Sequence, residues 1–243
     1  MKTNHARLFR LCMVAGLFAH ASLVHAVTLS FSETLPTENL LISNPTGTGT
    51  GTALGPNLTR VLGFSFQSSS ALLLETVTVQ VAEANWTTST LGKDMKIHIV
   101  ALDSLTGTFP DISGSSPPTL LTQTGALPSS LGSATVTGGF YMTFAFDSQV
   151  SLQAGTAYGI VMSFVYDSTD ASRLNLVAST GAAPAGVGQR YFSLDQGATW
   201  STTGAPPVFV LTGATIPEPA TAAMFLGAVA LVGTMCSRRR VTR

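Results

Sequence analysis

Apolar residues recur at every second position in four separate stretches of this chain. Phe140, Met142, Phe144 and Phe146 share one parity, opposite Tyr141, Thr143 and Ala145. Tyr158, Ile160, Met162, Phe164 and Tyr166 form a second stripe, backed by Val161 and Val165. Val77, Val79 and Val81 alternate with Thr76, Thr78 and Gln80, and Met95, Ile97 and Ile99 alternate with Lys96, His98 and Val100. Successive side chains on a strand point to opposite faces, so each set lies on one face of a sheet. Shorter candidates are Leu29–Glu33, Arg60–Phe66, Leu174–Ser179, Tyr191–Leu194 and Val208–Thr212. Between them lie clusters of Gly, Pro, Ser and Asp suited to turns. Nine or more strands without a convincing internal helix predict an all-β fold, a two-sheet β-sandwich with jelly-roll-like character. The segment 43–57, rich in Gly and Thr, has no periodicity and reads as a loop. The turn-rich gap 103–132 is either a long functional loop or holds one short strand around Leu120–Thr122.

Composition narrows what such a sandwich can do. Only 10% of the 243 residues are charged, against about 25% in an average soluble domain. Between Val27 and Ile216, five basic residues face eleven acidic ones, a net charge of −6. That balance argues against nucleic acid, whose affinity comes from Lys and Arg on phosphates. The two cysteines, Cys12 and Cys236, lie in terminal apolar segments. This leaves no disulfide, thiolate nucleophile or cysteine–zinc site for the body of the chain. Ser and Thr supply 52 of its 190 residues, so its surface can be polar without being charged.

The two ends read as addresses. Lys2, His5, Arg7 and Arg10 precede Leu11–Val24, an apolar stretch of 14 residues, and Val24-His25-Ala26 fits a signal-peptidase site. Residues 1–26 are therefore expected to be a cleaved signal peptide, with an uncleaved anchor as the alternative. Cys12 sits too early for a lipoprotein. At the other end, Ala220–Cys236 carries no charge and runs into Arg238, Arg239 and Arg240. As a helix it spans roughly 25 Å, a marginal transmembrane anchor with the arginines on the cytoplasmic side. Just upstream stand Pro217, Glu218 and Pro219. Two prolines withhold N–H groups and keep this strip extended at the membrane face.

The triplet, the apolar run and the arginine cluster, in that order over 216–243, resemble the PEP-CTERM sorting signal of exported proteins in Gram-negative bacteria. The resemblance implies recognition by an exosortase, a membrane-embedded cysteine peptidase or transpeptidase that removes the tail. It also implies transient anchoring in the inner membrane before release to the cell surface. A plain single-span anchor is the alternative. The division expected is 1–26 signal peptide, 27–215 exported β-sandwich and 216–243 sorting signal. The sandwich is loosely similar to the choice-of-anchor domains that precede such tails.

A second resemblance is local. Ser193-Leu194-Asp195-Gln196-Gly197-Ala198-Thr199-Trp200 fits the Asp-box pattern S-x-D-x-G-x-T-W. In that family the motif is a hairpin tip in which Ser193 and Asp195 would bond the turn backbone. Gly197 would take the positive φ, Thr199 completes the pattern, and Trp200 would pack inward. One copy, without repeats at propeller spacing, reads as a structural lock rather than a glycosidase signature.

Little else in the chain carries chemistry. His98 lies opposite Met95, Ile97 and Ile99 and is expected on solvent or a sheet surface. One imidazole without cysteines gives no transition-metal site, and no cofactor is expected. Asp167 and Asp170, in Tyr-Asp-Ser-Thr-Asp, are candidate calcium ligands or turn caps. Trp86, in Trp-Thr-Thr-Ser, is a candidate glycan contact or a strand-end aromatic. No G-x-S-x-G elbow and no local carboxylate dyad is present. The leading expectation is a non-enzymatic structural or adhesive protein of the cell surface or extracellular matrix. Its partners would be signal peptidase, an exosortase and extracellular polysaccharide. A carbohydrate-binding module is the first alternative and a secreted hydrolase the second.

Overall fold

A computed structural model of the chain describes residues 26–85, 93–114, 118–128, 135–202 and 204–217, and all the regular structure in them is β. Thirteen strands run in the order β1 (Thr28–Ser32), β2 (Leu40–Asn44), β3 (Gly49–Leu54), β4 (Val61–Gln67), β5 (Leu72–Asn85), β6 (Asp94–Leu102) and β7 (Leu121–Ala126). They continue as β8 (Thr135–Leu152), β9 (Ala157–Phe164), β10 (Arg173–Ala178), β11 (Val187–Ser193), β12 (Ser201–Thr202) and β13 (Phe209–Thr215). One sheet follows the path β1-β8-β5-β10-β3, with β13 and β2 joined beside β5; the other runs β12-β11-β4-β9-β6-β7. Every strand pair is antiparallel.

The 14-residue β5 organises the first sheet. One edge pairs with β8 along almost its whole length. The other is shared, with β13 opposite Leu72–Val79 and β10 opposite Val81–Asn85. Ala26 and Val27 also reach the second sheet, through a parallel bridge from Ala26 to Thr124 and a bond from Val27 N–H to Thr124 O, 3.3 Å. The period-two stripes meet between the sheets. Val77, Val79, Val81, Met142, Phe144, Phe209 and Leu211 from one sheet pack with Leu62, Phe64, Phe66, Ile97, Ile99, Ile160 and Met162 from the other. The Phe64 and Phe209 rings lie 4.3 Å apart across this core. Tyr166 departs from its stripe: β9 ends at Phe164, and Tyr166 is exposed.

The segment read as a loop at 43–57 contains β3, which pairs with β10. Its Gly-Thr alternation has no apolar stripe to betray it; backbone hydrogen bonds hold it. A Cβ at Gly51 would stand 2.2 Å from the Leu176 carbonyl, so glycine is what permits the approach. The gap 103–132 holds both a loop and a strand. Leu121–Ala126 is a strand, longer than expected, and residues 103–114 form a loop lying over the outer face of the second sheet.

That loop builds a second apolar cluster. Phe109 and Ile112 pack on Val61, Val100, Leu102, Ala157, Val161 and Tyr191, with Trp200 at the border. The ring of Phe109 rests where β4 and β9 carry glycine. A Cβ at Gly159 would meet it at 2.4 Å, and one at Gly63 at 2.9 Å. Phe109→Ala should cost about 3 kcal/mol or more in denaturant unfolding, as large-to-small core changes do. Gly159→Ala should cost roughly 1–3 kcal/mol by overpacking. The double variant should fall well short of the sum, because the two changes act on one contact. Additive costs would show that Phe109 is seated elsewhere.

Candidate functional site

The outer face of the second sheet is covered by loop 103–114 over one part and open over another. Antiparallel register places Ser163, Lys96 and Thr124 in one row across β9, β6 and β7, and Gly63, Val161, His98 and Thr122 in the next, across β4, β9, β6 and β7. The open part is a cleft of about 270 Å³ with Lys96, His98, Thr122 and Ser163 in its lining, together with residues 58–61, 112–114 and Gln196. That is just below the usual range for small-ligand sites, roughly 300–1,000 Å³. Tyr166, about half exposed, also borders it.

His98 is not exposed, contrary to the sequence expectation. It does face away from the main core, but only 6% of it is accessible. Its Nδ1 lies 2.9 Å from Thr122 Oγ1. Parity on β6 gave the face; it could not give how deeply the side chain is buried there. Burial first, and then the nearby Lys96 ammonium, push the imidazole down to about 4. At neutral pH it is therefore a neutral hydrogen-bonding group.

The walls of the cleft are tied by the turn Ser193–Trp200. Ser193 Oγ donates to Asp195 Oδ1 (2.6 Å) and accepts from the N–H of Gly197 (2.7 Å). Asp195 accepts from Thr199 twice, from N–H at 2.9 Å and from Oγ1 at 2.6 Å. These bonds, led by Ser193, hold the Asp195 carboxyl down at about 2. Gly197 has φ +93°, and Ile112 fills the space a Cβ would need. From the turn, Gln196 N–H donates to Thr59 O (2.8 Å), and Gly197 O accepts from Ile112 N–H (3.0 Å). Trp200 Nε1–H donates to Pro110 O (2.9 Å), and its ring lies 5.1 Å from that of Phe109. The turn thus clamps the two lining segments that contain residues 59 and 112.

Asp167 and Asp170 are each engaged within the chain. Asp167 Oδ1 accepts from Thr169 N–H and Oγ1, and Oδ2 pairs with Lys93, which holds this carboxyl well below the ordinary range. Asp170 is buried and accepts from Ser172 N–H at 2.9 Å. A calcium ion at Asp167 would have to displace an ammonium. Among the described residues no cluster of three potential metal ligands occurs. Trp86 lies outside the described residues, as do Glu218, Pro219, Arg238, Arg239, Arg240, the apolar runs at both ends and Cys12 and Cys236. Pro217 is exposed. Among the described residues, no helix is long and apolar enough to cross a membrane.

Sequence reasoning missed Arg60, Lys96, Ser163 and Tyr166. The available signal was polar parity: Lys96 and His98 share one face of β6. Nothing local announced that Arg60 and Tyr166 would border the same space.

A PEP-CTERM protein-sorting motif matches residues 215–240. Comparison with curated proteins finds no match. Among solved structures, the chain is similar to the cysteine protease and lectin-like domains of Cwp84, a surface layer associated protein of Clostridium difficile. The two share 13% identity at a TM-score of 0.42, over 74% of this chain and 37% of that one. At those values the likeness says nothing about what this chain does.

Two outcomes test the geometry. Ser193→Ala removes the acceptor for a buried N–H and should cost about 1–3 kcal/mol. Gly197→Ala should cost more, since it adds a Cβ at positive φ against Ile112; equal costs in urea unfolding would contradict this. His98 gives a pH signature. Its folded value lies below the unfolded one of about 6.5, so the unfolded chain gains the proton first. Stability should fall by up to about 3 kcal/mol as pH drops from 6.5 to 4. His98→Gln should flatten the curve over that interval alone.

Proposed function

We propose that this chain is exported, held briefly at the inner membrane by its tail, trimmed there by an exosortase, and displayed as a non-enzymatic surface or matrix protein. The observation that carries this reading is the sorting motif at residues 215–240. The body is the cargo. Extensive antiparallel pairing and two apolar clusters suit it to a structural or adhesive role. Among the described residues no carboxylate lines the cleft, so that lining lacks the acid–base pair that glycoside hydrolysis requires. A second reading, carbohydrate binding, is favoured by that same cleft, with its hydroxyls, amide and exposed tyrosine.

Intact-mass analysis of the protein recovered from the cell surface tests the first reading. The expected product begins at Val27 and ends near Pro217-Glu218-Pro219. In a strain lacking the exosortase, the same protein should retain Arg243 and stay with the membrane. A chain ending at Arg243 in both strains would make the tail a permanent anchor.

A further inference from the structure

The body carries five cations against eleven carboxylates, yet two of the five line one small cleft. The other three have different surroundings. Lys93 pairs with Asp167, Arg173 Nη1 donates to Asn57 Oδ1 at 2.5 Å, and Arg190 is partly desolvated. Arg60 is half-buried at the cleft, and of its five N–H donors the described residues engage one, with Ala53 O at 3.3 Å. Lys96 is exposed and has no hydrogen-bond or ion-pair partner among the described residues. Asp94 shares the sheet face of Lys96, but it lines the neighbouring depression with Lys93 and Asp167.

We infer that this cleft binds a carboxylated sugar unit, a uronate of an acidic polysaccharide, with Arg60 and Lys96 taking the carboxylate. The inference deepens the carbohydrate-binding reading above and rests on it. Two cations without a lining carboxylate select an anion in a body whose overall charge repels anions. An anion alone would leave the remaining groups unused. Thr122 and Ser163 offer hydroxyls on the floor, and neutral His98 can share in the same hydrogen-bond network. Tyr166, 48% exposed at the rim, presents an apolar ring on which a sugar face can stack. The volume admits one monosaccharide-sized group, so a longer polymer would lay a single residue into the cleft and run on across the surface.

The test is calorimetric titration of the full chain in mild detergent with three probes: a galacturonate trimer, a galactose trimer and inorganic phosphate. The expected result is binding of the galacturonate trimer, with the galactose trimer and phosphate each weaker by tenfold or more. Lys96→Gln and Arg60→Gln should each weaken galacturonate binding about tenfold or more, the scale of one hydrogen bond to a charged group. Tyr166→Ala should weaken it severalfold. Lys96 is exposed, so Lys96→Gln should keep the parent's melting temperature and remains informative if Arg60→Gln unfolds. Equal binding of both trimers would overturn the inference, as would phosphate binding as tight as galacturonate. Unchanged affinity in Lys96→Gln would overturn it too. Binding of the galactose trimer alone would spare the carbohydrate reading and sink the uronate, whereas silence from both trimers would sink both. C-terminal trimming is read separately by mass and does not depend on any of these outcomes.

Discussion

The seat of Phe109 on two strand glycines is the contact on which the outer architecture depends. Strands β4 and β9 present Gly63 and Gly159 as diagonal neighbours on a face that would otherwise be water-exposed. The bare backbone lets an aromatic ring descend to the sheet, and the ring brings the rest of loop 103–114 with it. Tyr191 and Trp200 then stack around it at 4.3 and 5.1 Å between centroids. A face covered in this way becomes a second, smaller core. Its edge defines the cleft, so the site is shaped by a contact that contributes no group to it.

The turn at Ser193–Trp200 complements that seat. It is rigid because its polar side chains are spent internally, on Gly197 and Thr199. Its backbone then has donors and acceptors left for Thr59 and Ile112. Ring packing fixes the loop from beneath, and the turn fixes it from the side. With both walls anchored, a ligand meeting the cleft finds it largely preformed, which lowers the ordering cost of binding.

Much of the fold was legible because its main core is made of residues that announce themselves by parity. Val77 to Val81, Met95 to Ile99 and Phe140 to Phe144 all face inward as their alternation requires. Strand β3 was illegible for the opposite reason: its alternating partners are glycine and threonine, and backbone pairing holds it. Tyr166 extended an apolar stripe in the sequence but lies beyond the last paired residue, where parity has no meaning. His98 shows a further limit. A period-two pattern tells which face a side chain takes, not how deeply the finished fold buries it on that face. The cleft was hidden likewise, since it draws Arg60, Lys96 and the pair Ser163 and Tyr166 from three separate stretches brought together by strand pairing.

The way the chain leaves the sheet has its own consequence. Strand β13 lies between β5 and β2, and Ile216 N–H still bonds to Ala71 O at 2.8 Å, one residue before Pro217. Between the last sheet hydrogen bond and the proline triplet there is therefore almost no slack. If the tail is inserted as proposed, a body joined so tightly has little tether to let it swing clear of the bilayer. An enzyme trimming that tail would then work close to the finished end of the sheet, so the steric outline of the cargo would become part of what it has to accommodate.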